Sequence, residues 1–297
     1  MKRDSFSSYH PLVNFVYFGA MLASAMIFMH PVLQALSLIS ALAYSILLKG
    51  KKAAVFALLY MLPLFIVMAV ANPVFNHAGV TILFYLKNGN PVTLESILYG
   101  IASACMFITV LIWFSCYNAV MTSDKFIYLF GKMIPALSLI LSMALRFVPR
   151  YIEQIKNISK AQRSIGRHPS QGNPLQRAKN AMKIVSIMTT WALENAIETA
   201  DSMKARGYGL PGRTSFSLYR FDNRDRIGMA AMLGLLAVVL TGAAYGENSA
   251  RYFPSIKMAD TTMFSAVLYA AYGLLCLLPV IIHVAEAMKW KSIASRM

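Results

Sequence analysis

Apolar positions in this 297-residue chain fall into long blocks separated by short polar stretches. A bilayer core of roughly 30 Å needs ~20 mostly apolar helical residues. Six blocks approach that length: Leu12–Met29, Val32–Leu48, Ala53–Ala71, Ile97–Val120, Ile227–Tyr245 and Met263–Ala285. The second is short, and tilt or local thinning of the bilayer would complete it. Between the fourth and fifth blocks the pattern changes. Residues 121–226 carry far more basic than acidic side chains, and their apolar runs, Met133–Leu145 and Ile184–Leu193 around Trp191, are too short to span. Ala178, Ala181, Val185, Met188, Ala192, Asn195, Thr199 and Met203 recur at three- and four-residue steps, which predicts one stripe of a long helix. Glu194, Glu198 and Asp201 share another face, where they repel one another unless basic residues of a neighbouring helix oppose them. The fold class read from this pattern is all-α: a polytopic membrane protein of about six transmembrane helices with a domain of long amphipathic helices. The expected division is 1–122 with four transmembrane helices, 123–225 as the amphipathic domain, and 226–297 with two transmembrane helices.

Outside these blocks, 72–96 holds the apolar run Val80–Leu86, bounded by Gly79 and by Asn88-Gly-Asn-Pro91. It is too short to span, and its turn-forming borders predict an interfacial strand or short helix.

Composition agrees with a bilayer. Hydrophobic residues make up 58% and charged residues 13%, against about 25% charged in soluble domains. The net charge of +16 would suggest nucleic acid in a soluble protein, but here its distribution follows the topology. With the N-terminus inside and the segments alternating, all of the 28 Lys and Arg except Lys87, Arg251 and Lys257 fall on the inner side. Positive charge marks the cytosolic side, so both termini and the amphipathic domain are expected in the cytosol. The basic faces would then meet anionic headgroups, and no nucleic-acid partner is expected. Lys2 and Arg3 precede an apolar run without a clear small-residue cleavage site, so a retained first span is expected rather than a signal peptide.

The chain offers little for catalysis. Cys105, Cys116 and Cys276 lie inside apolar blocks without metal-ligand spacing. His283 lies near the inner end of the last block, where a structural role is expected. No His-Glu-x-x-His, nucleophile elbow or phosphate-binding loop is present, and the blocks hold almost no ionisable groups of the kind that an embedded enzyme or ion-coupled carrier needs. No cofactor, metal or catalytic residue is expected. A channel and an ordinary ABC permease stay open on these grounds.

Two segments of the amphipathic domain end alike. One reads Ile158-Ser-Lys-Ala161-Gln-Arg163-Ser-Ile165-Gly166-Arg-His-Pro169, the other Ala200-Asp-Ser-Met-Lys-Ala205-Arg206-Gly207-Tyr-Gly209-Leu-Pro211. Gly just past a last turn permits a left-handed cap, and a following Pro prevents continuation. Arg163 and Arg206 are therefore expected at two helix ends. The helix macrodipole favours an Arg there by roughly 0.3–1 kcal/mol. A planar guanidinium at a helix tip can also bind carboxylates of another chain.

The run Ala192-Leu-Glu-Asn-Ala-Ile-Glu-Thr-Ala-Asp-Ser-Met-Lys-Ala-Arg-Gly-Tyr-Gly209 resembles a signature of the T component of energy-coupling factor (ECF) transporters, the EcfT/CbiQ family. Leu145-Arg-Phe-Val-Pro149, Asn72-Pro-Val-Phe-Asn-His-Ala-Gly79 and Asn90-Pro-Val-Thr-Leu-Glu95 are similar to other family segments. The resemblance implies a non-catalytic scaffold. It would join two cytosolic ATPase subunits to a membrane-embedded substrate-binding S component, for vitamin or metal-ion uptake, through coupling helices with Ala-Arg-Gly-like tips. It implies that Ala205, Arg206 and Gly207 form one ATPase-docking tip, and Ala161, Arg163 and Gly166 the other. The latter departs from the family pattern, because Ile165 stands where the Arg is expected, and Arg163 is favoured over Arg167 as its substitute.

Overall fold

The computed structural model describes residues 4–85, 89–131, 134–211, 219–258 and 262–294, without the side chains of 135–137. The chain divides into two compact units, Met1–Phe126 with Tyr219–Met297, and Ile127–Leu218.

The first unit is a helical bundle. Its helices are α1 (Pro11–Ile27), α2 (Pro31–Lys49), α3 (Lys51–Phe56) running through a π-helical turn (Ala57–Met61) into α4 (Leu62–Phe75), α5 (Leu94–Val120), the start of α6 (Ser123–Gly131), α9 (Asn223–Ala244) and α10 (Met263–Ala294). Among the described residues, five helical stretches are long and apolar enough to cross a membrane: Pro31–Lys49, Lys51–Phe75, Leu94–Val120, Asn223–Ala244 and Met263–Ala294. The 17-residue Pro11–Ile27 is a shorter apolar helix. All six expected blocks thus form helices, several extending past the apolar window into charged turns such as Glu286–Lys291 of α10.

Local chemistry sets the helix starts. Pro11 and Pro31 occupy first-turn positions where no N–H is needed. The His10 ring accepts from Leu12 N at 3.2 Å, and Thr93 Oγ1 from Ser96 N at 3.3 Å. Pro63 cannot donate to the preceding turn, and the π-helical turn lies just before it.

The bundle core is aromatic: Trp113, Tyr17, Phe18, Tyr44 and Tyr272 are almost fully buried. Apolar burial gives little net drive between helices in lipid, so packing and interhelical hydrogen bonds carry the association. Trp113 Nε1 donates to Ser37 Oγ at 3.0 Å, and Tyr17 donates to Cys276 O at 3.0 Å. Beyond α4, the expected extended segment is a strand, β1 (Ile82–Tyr85), antiparallel to β2 (Pro91–Thr93). The Glu95 carboxylate accepts from Thr81 N and Oγ1, tying this hairpin to the first turn of α5. A second two-stranded pair, β3 (Ala250–Arg251) with β4 (Lys257–Met258), joins α9 to α10.

The second unit contains the end of α6 and an antiparallel pair, α7 (Pro135–Ser164) and α8 (Pro174–Ala205). Its small core is Ile158, Ile184 and Met188, flanked by Tyr151, Ile187 and Trp191. The Tyr151 and Trp191 rings meet edge to face at 5.5 Å, and the Arg150 guanidinium lies 5.7 Å from the Trp191 ring centre. The stripe expected on α8 holds from Met188 to Met203 and departs at two positions: Ala178 is exposed, and Ile184 is buried where Val185 is 64% exposed. Both are apolar and adjacent, and only the position of α7 decides which turns inward. Glu194, Glu198 and Asp201 are exposed, and among the described residues no ion pair involves them.

Candidate functional site

The ends of α7 and α8 share one hydrogen-bond motif. After α7, Arg167 N donates to Gln162 O at 2.9 Å and Gly166 N to Arg163 O at 3.1 Å. After α8, Tyr208 N donates to Met203 O at 3.0 Å and Gly207 N to Lys204 O at 3.0 Å. Gly166 and Gly207 take φ of 73° and 80°, the left-handed region that side chains disfavour. Each end is therefore a Schellman cap with glycine where the chain reverses.

This shared geometry fixes the correspondence between the tips. Aligned on the glycines, Ile165 matches Arg206 as the last residue before the turn, with φ, ψ of −101°, 15° and −84°, 8°. Ser164 then matches Ala205, and Arg163 matches Lys204. Arg206 thus sits at the cap itself, while Arg163 projects from the last turn two residues earlier. Ala161 lies a further two residues back, on the exposed side of α7.

Both arginines are exposed, and among the described residues neither forms an ion pair. Lys160, Arg163 and Arg167 concentrate positive charge at the first tip, Lys204 and Arg206 at the second. The carbonyl ends of the helices stabilise these cations, and no carboxylate of the described residues neutralises them.

The tips stand far apart within the unit. The nine residues between α7 and α8 fold against the start of α8: Arg177 Nε donates to Pro169 O at 2.9 Å, and Asn180 Nδ2 to His168 O at 3.3 Å. The first tip is therefore held beside the N-terminal turns of α8, and the second ends the same helix. At 1.5 Å per residue the separation is about 45 Å.

One side of the α7–α8 pair is apolar and uncovered. Leu141, Leu145, Val148, Ile152 and Ile155 follow a heptad-like stripe on α7, and each is more than a third exposed. Met182, Val185 and Leu193 do the same on α8. A groove of about 490 Å³ between the helices is lined by Ile155, Val185, Met188 and Leu193, among others. Sequence reading located this surface only as two apolar runs. Which turns of each run stay outside depends on the pairing of two helices.

A model of the family described as cobalt transport protein, CbiQ, matches residues 5–216. Among similar curated proteins is an energy-coupling factor transporter transmembrane protein EcfT of Leuconostoc gelidum subsp. gasicomitatum, 31% identical over 109 residues, which are 36% of this chain and 41% of the relative. Proteins of the same name from Lactobacillus helveticus and Brevibacillus brevis are 33% and 35% identical over 113 residues, 38% of this chain and 41% and 42% of theirs. These matches span about two fifths of the length of each relative.

Proposed function

The chain belongs to the CbiQ family of cobalt transport proteins, and from that premise we propose that it is the transmembrane T component of an ECF-type importer. Its non-catalytic work is to connect two cytosolic ABC ATPase subunits to a membrane-embedded S component that recognises a vitamin or metal ion. The charge asymmetry of the chain orients both termini and the α7–α8 unit toward the cytosol of a prokaryotic cell.

The observation that carries this reading is the pair of like-built tips. Each ends in a glycine cap, displays an unneutralised cation, and stands about 45 Å from the other. A 20-residue helix of about 30 Å already matches the diameter of a small domain, so the tips suit two different subunits. Ala205, Arg206 and Gly207 dock one ATPase. Ala161, Arg163 and Gly166 dock the other, with Arg163 replacing the arginine missing at Ile165. The guanidinium fork suits a carboxylate in the receiving groove. The apolar side of α7 and α8 seats the S component. ATP shifts the assembly only through contacts that differ between open and closed ATPases, and two rigid helices with charged tips supply such contacts.

Co-purification tests the reading. The tagged chain is produced with the ATPase pair encoded beside it and extracted in mild detergent. Recovery of both ATPases with the wild type, and their loss with Arg206→Ala, is expected. If no ATPase follows the wild type, the coupling role is wrong.

A further inference from the structure

The second unit connects to the bundle at two chain crossings, after Phe126 and before Tyr219. Residues flanking both are held by one short stretch, Asp4–His10, which is not part of any membrane-spanning helix.

Phe6 anchors the stretch. It is 1% exposed, with its ring centre 5.1 Å from Tyr17, 6.3 Å from Phe18 and 6.4 Å from Tyr44. Buried Asp4 accepts from the Tyr44 hydroxyl at 2.7 Å and lies 3.2 Å from His283 Nδ1 of α10. The latter is a close approach rather than a well-aligned hydrogen bond, since neither atom has a hydrogen-bond partner. His283 thus has the structural surroundings expected of it.

From Phe6 the stretch reaches both crossings. On the outgoing side, Lys125 is buried and donates to Ser7 O at 2.5 Å and to Val120 O at 3.1 Å. With the Asn14 amide turned to satisfy its neighbours, Asn14 accepts from Lys125 Nζ at 3.0 Å and donates to Phe6 O at 3.0 Å. All three ammonium donors then have partners, as a buried lysine requires. On the returning side, Arg224 Nη2 donates to Ser5 O and Ser8 Oγ at 3.2 Å and pairs with Glu286 at 2.6 Å, while Arg224 Cζ lies 4.1 Å from the Tyr9 ring centre. His10 N donates to Asp225 Oδ1 at 2.9 Å, while Asp225 Oδ2 accepts from Asp222 N at 3.0 Å.

We propose that Asp4–His10 is a clasp that fixes both crossings to the same end of the bundle, so that they hold or release together. Its consequence for transport, that motion of the α7–α8 unit reaches α5, α9 and α10 as one displacement, rests on the coupling role proposed above. The clasp itself does not.

Hydrogen exchange on the full chain in lipid nanodiscs tests it. Phe6→Ala withdraws the anchor. Tyr44→Phe removes only the hydroxyl that holds Asp4 and keeps the ring, so the bundle still folds. Phe6→Ala is expected to raise exchange about tenfold at 120–128 and 219–226 together, leaving mid-α5 and the α7–α8 contact at wild-type protection. Tyr44→Phe is expected to raise both crossings by a smaller, equal factor. The clasp is refuted if Tyr44→Phe leaves both unchanged, if only one crossing loosens, or if the whole chain loosens alike. Joint loosening supports it even where no ATPase co-purifies with the wild type, an outcome that sinks only the coupling role.

Discussion

Arg206→Ala separates a docking residue from a structural one. The side chain is exposed, lies outside the last helical turn, and forms no ion pair among the described residues. Its removal from the isolated chain should therefore change stability by no more than about 0.5 kcal/mol, as for surface sites without special partners. In the assembled transporter the same guanidinium would be enclosed against a carboxylate. Truncating one partner of such a pair costs about 2–5 kcal/mol, or ~30- to ~5,000-fold in Kd. The assay is binding of the purified ATPase pair to the chain in nanodiscs, with a thermal melt of each variant alone. Raising the salt should weaken both complexes yet leave most of the gap between wild type and variant, since rim charges are screened more than the enclosed pair. Arg163→Ala provides the comparison. It sits in the last turn of α7, so its loss should remove about 0.3–1 kcal/mol of helix stabilisation and weaken the other docking contact. Wild-type affinity for Arg206→Ala, or a loss of affinity matched by an equal loss of stability, would refute the docking assignment.

Other expectations follow from particular residues. Ile165→Arg places a guanidinium at the cap position that Arg206 holds on α8, and should strengthen ATPase binding at that tip by about 1 kcal/mol or more; a drop in affinity would show that the tip docks by another contact. Trp191→Ala removes the edge-to-face contact with Tyr151 and the Arg150 cation from the small α7–α8 core. It should cost roughly 2–4 kcal/mol, read as faster proteolysis between 147 and 195 with the bundle intact. Burial holds the Lys125 ammonium below the usual lysine value of 10.5, with the Asp4 charge partly offsetting it. Between the folded and unfolded pKa values the unfolded chain binds more protons, so this group adds stability as pH rises through that alkaline interval. Lys125→Met should lose that rise, as measured by the melting difference from wild type at neutral and alkaline pH.

The membrane helices were readable because a bilayer makes a demand that one segment can meet alone: some 20 apolar residues in a row. Their ends were less so. Charged turns such as Glu286–Lys291 continue α10 beyond its apolar block, because helix backbone needs no apolar side chains once it leaves lipid. The glycine caps at 166 and 207 were also readable, since a left-handed φ is a local requirement. What the sequence hides is pairing. Lys125 meets Ser7 across 118 positions, and Asp225 meets His10 across 215, with no periodicity to mark either. The choice of Ile184 over Val185 for the α7–α8 core has the same origin.

The contact of α8 with α7 has a mechanical consequence. Ile184, Met188 and Trp191 lie near the midpoint of the helix. About 20 Å of helix extends from them toward the tethered first tip, and about 27 Å toward Arg206. α8 is thus a beam on a near-central fulcrum, and under the docking proposed above it would carry an ATPase at each end. A rotation of about 10° would move the two ends by about 3.5 Å and about 4.7 Å, in opposite directions. Two ATPases closing in step would then shift the beam bodily, whereas one closing alone would rock it, so the timing between them would select which motion the membrane receives.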